Sequence, residues 1–207
     1  MSKQTLIIIM AIAFIASLLI DTYLKKKRED YTSYIVKLVT TGDFDQFDQE
    51  ISSDKAKKLI PPANMDMLKF NVYIMRGKQK EVEELFDSFE NKRLSDDAKL
   101  TIYTRALGYF ITTHDEARCK KCYEIILNLP NNNSVKESTT CVYEIMVEKK
   151  TNRLNELLES LEHDTSTQKY IDEFLISEIY TNLNDEENAK KYAELAKEHL
   201  LHPEKNI

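Results

Sequence analysis

Residues 177–196 read SEIYTNLNDEENAKKYAELA, and the fold of the chain follows from how this stretch is read. On either side of Asn184-Asp185 the apolar side chains recur at three and four, the period of a helix and not of a strand. The Asn-Asp break supplies turn and capping chemistry. The stretch therefore predicts two helices joined by a tight turn.

Similar breaks recur upstream at Gly42-Asp43, Gly77-Lys78, His114-Asp115 and Thr151-Asn152, so that the five breaks are spaced by 35, 37, 37 and 33 residues. Helical periodicity marks ten segments, at 31–41, 43–59, 63–76, 78–91, 95–113, 115–129, 134–149, 152–163, 167–183 and 185–201. Between pairs stand stop and cap signals: Pro61-Pro62, Ser95-Asp96-Asp97, Pro130 with Asn133 or Ser134, and Asp164-Thr165-Ser166. Only 3 Gly and 4 Pro occur in 207 residues, too little punctuation for an all-β fold. The predicted class is all-α, built of about five helix-turn-helix repeats. Two antiparallel helices at a period near 34 leave each pair with an apolar face that only a neighbouring pair can cover.

In this period and in the last repeat the chain resembles the tetratricopeptide family. Ser177 and Tyr180 precede the turn, and Ala189, Ala193 and Ala196 follow it, matching the family's small and aromatic positions. The second repeat has Phe70, Tyr73, Val82, Phe86 and Phe89 at those places, and the third Leu107, Phe110, Cys119, Tyr123 and Ile126. The resemblance covers about 31–201 and implies a right-handed α-solenoid whose first helices line a concave, protein-binding face. Counted from the turns, that face comprises Asn64, Met67, Asn71 and Ile74, then Thr101, Thr104 and Gly108, then Phe174, Glu178 and Thr181. Some family members hold a chaperone carboxylate through basic and amide residues. Glu29 and Thr32 stand at the first-repeat positions here, where basic and amide residues would be needed, so that activity is not expected.

Leu6–Ile20, LIIIMAIAFIASLLI, carries no formal charge and is followed by Lys25, Lys26, Lys27 and Arg28. The run and its flanks reach the roughly 20 residues that span a bilayer, so an N-terminal transmembrane helix is expected, with residues 1–28 as anchor and collar and 29–207 as the repeat domain. A cleaved signal peptide or a buried core helix are the other readings. With only Lys3 before the run, the positive-inside rule places a single-pass protein in the cell membrane with its repeats cytoplasmic. Beyond residue 28 the chain holds 24 Lys and Arg against 34 Asp and Glu, a net charge of −10. An acidic body repels phosphate backbones, which argues against nucleic acid.

Cys119-Lys120-Lys121-Cys122 is the one tempting chemical motif. A redox pair requires a thiol at a helix N-terminus after a strand, and no strand precedes this one. A zinc site would need Cys119, Cys122, Cys141 and His114. Packing thiols are the simpler reading. His163, His199 and His202 fall at helix ends. Glu83-Glu84 and Glu186-Glu187 lie on solvated faces, and Gly42, Gly77 and Gly108 stand singly, so no phosphate-cradling loop is present. No enzyme signature, cofactor or small-molecule substrate is expected. The expected function is a membrane-tethered scaffold that binds a protein or peptide partner. A thiol or zinc sensor using Cys119, Cys122 and Cys141 is one alternative, and a chaperone-like repeat protein of reversed topology is another.

Overall fold

The computed structural model describes the backbone of residues 3–163 and 169–202 and the side chains of residues 22–162 and 169–202. Among the described residues every regular element is a helix. The chain divides into two compact units, Met1–Leu94 and Ser95–Ile207, each with a core of its own.

In the first unit, helix α1 (Lys3–Thr40) ends in an amphipathic segment whose Tyr31, Ile35, Leu38 and Val39 are buried. They pack on Phe47 and Ile51 of α2 (Phe44–Ser52) and on Ala56 of α3 (Asp54–Leu59). The single helix expected over 43–59 is therefore two. Ser53 takes an extended conformation (φ −68°, ψ 155°), and its hydroxyl accepts the Ala56 N–H at 3.1 Å. A serine that can cap competes with helix continuation, and here the cap wins. Pro62 opens α4 (Pro62–Met75), where its missing N–H costs nothing. Helix α5 (Gln79–Ser88) runs into a 3₁₀ turn, Phe89–Asn91. Between these helices Phe70 meets Phe89 edge to face at 5.6 Å, and Val82 and Phe86 are fully buried. Each such aromatic contributes about 2–3 kcal/mol by leaving water. Two ion pairs bind the helices further, Arg76 to Asp48 at 2.7 Å and Lys92 to Asp66 at 2.9 Å.

In the second unit, Ser95 caps α6 (Asp96–Thr112) by accepting the Ala98 N–H. The buried stripe Ile102, Tyr103, Ala106, Leu107 and Phe110 marks its core face, and α7 (Glu116–Asn128) faces inward with Cys119, Cys122 and Ile126. Helix α8 (Asn133–Met146) starts after Asn132, whose left-handed backbone ends the preceding loop; neither Asn133 nor Ser134 is its cap. Tyr123 of α7 stacks on Tyr143 of α8, with centroids 4.1 Å apart. Helices α9 (Leu154–His163), α10 (Tyr170–Asn182) and α11 (Glu186–Leu201) complete the unit. Cys141, Ile145, Leu157, Leu175, Ile176 and Ile179 form their shared core. Asn182 donates to the Ile145 carbonyl at 3.0 Å, a bond across 37 residues that fixes α10 against α8. The cap expected at Asp164-Thr165-Ser166 lies outside the described residues.

The architecture expected from the sequence, a transmembrane helix followed by a right-handed α-solenoid, requires correction. Among the described residues no helix is long and apolar enough to cross a membrane. The single-pass membrane location expected from Leu6–Ile20 is therefore overturned along with the anchor. The physical reason is visible in the described part of α1. There Lys25, Lys26, Lys27, Arg28, Glu29 and Asp30 are all exposed, and the next turns bury an amphipathic stripe in a protein core. The basic residues belong to a helix that continues unbroken to Thr40. Leu6 and Ile20 lie outside the described side chains.

Candidate functional site

A turn recurs in the chain with nearly constant geometry. Its marker is a residue in the left-handed region: Gly42, Gly77, His114, Lys149 and Asn184, with φ between 56° and 75°. Their spacing is 35, 37, 35 and 35 residues, more regular than the breaks read from sequence, because the fourth lies at Lys149 and not at Thr151-Asn152. In four of the five the next residue's N–H returns to a carbonyl five residues back: Asp43 to Leu38, Lys78 to Tyr73, Asp115 to Phe110, Asp185 to Tyr180. This is the Schellman closure, which needs an αL residue to turn the chain. Asp43, Asp115 and Asp185 then cap the next helix by accepting the N–H of Gln46, Arg118 and Asn188. Lys78 makes no such bond. The fourth turn is wider, its Lys150 N–H reaching the Glu144 carbonyl. Side chains brace it: Arg153 Nε donates to Glu144 at 2.7 Å and Lys150 Nζ at 3.2 Å, and Arg153 with Lys150 holds the Glu144 carboxyl below its usual range.

These turns present the expected partner-binding residues unevenly. Asn64, Thr101, Thr104, Gly108, Phe174 and Thr181 are exposed, whereas Met67, Asn71, Ile74 and Glu178 are half-buried. The Thr101 and Thr181 hydroxyls are turned back on their own helices, donating to the carbonyls of Asp97 and Ser177. Phe174, at 44 % exposure, and Ile171, at 41 %, stand one turn apart on α10 as an exposed apolar pair. Asn64, Met67, Asn71 and Ile74 belong to the first unit and the others to the second. None of these residues lines the clefts described for the molecule.

The thiols are placed as core side chains. Cys119, Cys122 and Cys141 are buried and free. Burial pushes the Cys119 thiol up to about 11 and raises those of Cys122 and Cys141 as well. A raised pKa leaves little thiolate at neutral pH, the opposite of a reactive cysteine. Cys119 does share a cleft of about 40 Å³ with His114, Phe110 and Met146. Among the described residues no group of three or more His, Cys, Asp or Glu side chains is placed to hold a metal. His163 lies outside the described side chains.

Two arrangements escaped the sequence reading. Glu173, only 3 % exposed, lies under α11, where His199 Nδ1 shares a hydrogen bond with both its carboxyl oxygens at 2.8 and 2.7 Å. In the first unit α1 and α3 form a cleft of about 510 Å³ lined by tyrosine and lysine side chains. A separation of 26 residues hides the first from local pattern. The second left a trace, since Tyr23, Lys27, Asp30 and Tyr34 stand at i, i+4, i+7 and i+11 on one helix face.

Helices, turn spacing and exposed first-helix residues together define an all-α, helical-repeat-like protein. Comparison with family models, with curated proteins and with solved structures finds no match for the chain.

Proposed function

We propose that the protein is a binding module of the tetratricopeptide-like kind, which holds a partner protein on the outward faces of its first helices. The reading rests on one observation above others, the exposed apolar pair Ile171 and Phe174 on the first helix of the last pair. Single exposed apolar residues are commonplace, but an aromatic and an aliphatic one turn apart form the kind of anchor that a helix or an extended peptide covers. The turn spacing within the second unit, 35 residues from His114 to Lys149 and again to Asn184, supports it, since regularly repeated helix pairs present successive first helices to one side. The occupant is a peptide segment with apolar side chains at helical or alternate spacing. Thr104, exposed on a first helix of the same unit, is a candidate polar contact, and no catalytic step is assigned.

The experiment is affinity capture on the full-length chain followed by quantitative mass spectrometry. Phe174→Ala with Ile171→Ala should abolish recovery of any specific partner, while Lys120→Ala, an exposed change on a second helix, should leave it unchanged. Equal recovery by all three proteins would remove the proposal.

A further inference from the structure

The cleft between α1 and α3 has a chemistry that the repeat architecture does not require. Three tyrosine rings contribute to it: Tyr23, which is 66 % exposed, Tyr34 and the edge of buried Tyr31. Tyr31 and Tyr34 lie 6.1 Å apart, centroid to centroid. Their hydroxyls are held from behind, Tyr31 donating to the Glu50 carboxylate at 2.8 Å and Tyr34 accepting from Gln46 Nε2 at 2.8 Å. The Tyr31 and Tyr34 rings are therefore fixed, leaving exposed Tyr23 and half-buried Tyr34 as the rings a ligand can meet. Leu59 closes the apolar side.

Three lysines line the same cleft. Lys55 Nζ sits 4.3 Å from the Tyr31 centroid, held over the ring face by cation–π attraction. Lys26 and Lys27 approach from α1. Neighbouring Lys25 is paired with Glu29 at 3.9 Å, but Lys26 and Lys27 have no ion-pair partner among the described residues. Asp30 is the one acidic side chain in the lining. The lining thus carries a formal charge of +2, on a chain whose net charge is −6. A concentration of positive charge against the sign of the whole molecule marks a place where an anion is attracted locally.

We propose that this cleft binds a small phosphate monoester bearing a planar ring, with the ring against the tyrosines and the phosphate among Lys26, Lys27 and Lys55. A phosphate monoester carries a charge of about −1.5 to −2 at neutral pH, which matches the lining. The volume of about 510 Å³ falls within the range of roughly 300–1,000 Å³ usual for small-molecule sites. Asp30 and the acidic body disfavour a polyanion, so the ligand is a small molecule and not a nucleic acid. Tyr31 and Lys55 come from elements locked in the core, and Tyr23, Lys26 and Lys27 from the exposed turns of α1 just before it enters that core. A bound ligand would therefore join the exposed part of α1 to the body.

Isothermal titration of the full-length chain tests this, with phenyl phosphate and adenosine 5′-monophosphate as probes and inorganic phosphate and adenosine as controls. At least one ring-bearing phosphate should bind saturably, at least about tenfold tighter than either control, because ring and charge are both used. The tighter probe tells whether the ring is attached directly or through a sugar. Lys26→Ala with Lys27→Ala should weaken binding about tenfold or more, and Lys55→Met and Tyr34→Leu should each weaken it, whereas Lys25→Ala should not. All but half-buried Tyr34 are changes at exposed positions, and a circular dichroism spectrum matching the parent confirms each fold. Three results would overturn the proposal: no saturable binding of either probe, inorganic phosphate binding as tightly as the probes, or Lys25→Ala weakening binding as much as the double change.

Discussion

The second helix pair, α4 with α5, and the last, α10 with α11, share a turn and differ in what fills the space behind it. Both close through an αL residue, Gly77 in one and Asn184 in the other. Behind Gly77 the helices are held apart by aromatics, Phe70 against Phe89 with Phe86 fully buried. Behind Asn184 one aromatic stack, Tyr180 on Tyr192 with centroids 5.7 Å apart, is joined by small residues: the Ser177 hydroxyl donates to the Ala189 carbonyl at 2.8 Å, and Ala196 is buried. Farther along the same pair, the buried Glu173 meets His199. A repeating turn therefore fixes the chain's path while leaving the interface free to be filled by fully buried aromatics in one pair and by a mixture of partly buried tyrosines, small residues and polar bonds in another. The large residues at the second repeat do not break the repeat; they change its spacer.

If that is right, truncating the aromatic spacer should be the most damaging change. Phe86→Ala is expected to cost about 3–5 kcal/mol, from lost burial and from a cavity that neighbouring rings cannot fill. Guanidinium titration followed by helicity reads it as a lowered midpoint. In the last pair Ile179→Val, at an equally buried position, should cost only about 1 kcal/mol. Equal losses would mean that the second pair is not organised around its aromatics.

The last pair has its own dependence, on charge. His199→Ala leaves a carboxyl that is 3 % exposed without its imidazole, which should cost about 3 kcal/mol. Replacing both, as Glu173→Leu with His199→Leu, should recover most of the loss, because an apolar pair has no desolvation to offset. A double variant no more stable than His199→Ala would show that the pair does more than neutralise itself.

Much of this was legible in the sequence and some could not be. Helical content followed from the apolar period, and the turn at His114-Asp115 from a residue that tolerates αL followed by a capping acid. The fourth turn was misplaced because Lys149 carries no sign of its positive φ, whereas Thr151-Asn152 looks like a break. Its brace, Arg153 on Glu144, spans nine residues and belongs to no local pattern. Ser53-Asp54 did carry a cap signal, masked by apolar residues that kept helical spacing across it. Lys26 and Lys27 were read with Leu6–Ile20 as the collar of a span. Only folding, which brings Lys55 beside them from α3, gives them another context. Of the ten residues counted from the turns six are exposed and four half-buried, and back-bonding of the Thr101 and Thr181 hydroxyls was not foreseeable from spacing alone.

The residue after the αL position sharpens the comparison further. Asp185 caps α11, and bonds from the Asn188 side chain and N–H hold its carboxyl below the usual value near 3.8. A depressed folded pKa gives stability that is present above that usual value and lost as pH falls through the lower folded one. Lys78 occupies the equivalent place with a similar backbone and no cap bond, its ammonium 5.6 Å from the Tyr73 ring. Lys78→Asp should stabilise the chain by about 0.5–1 kcal/mol at neutral pH, the gained cap outweighing a weak cation–π contact. That gain should vanish on acidification below about pH 4. A gain unchanged at pH 3 would show that it came from removing a positive charge and not from capping.

The αL residue itself completes the comparison, and the smallest expected effect, that of Asn184→Gly, falls there. No heavy atom lies within 4 Å of a Cβ built on Gly77, so nothing but the backbone opposes a side chain there. Gly77→Ala should therefore cost about 1 kcal/mol, the strain of placing an ordinary residue at φ 63°. Asn184 already occupies φ 60°, and asparagine bears that conformation better than other side chains. Asn184→Gly gains backbone ease but loosens the unfolded chain, and the two should nearly cancel, leaving a change of about 0.5 kcal/mol or less. Lys149, at φ 57°, has no such tolerance, and Lys149→Gly should stabilise by up to about 1 kcal/mol. Thermal melts of the three variants should rank them Lys149→Gly, Asn184→Gly, Gly77→Ala from most to least stable relative to the parent. Any other order would mean that the shared turn is held by its surroundings and not by its own αL residue, and the likeness between the second and last pairs would then end at their connectivity.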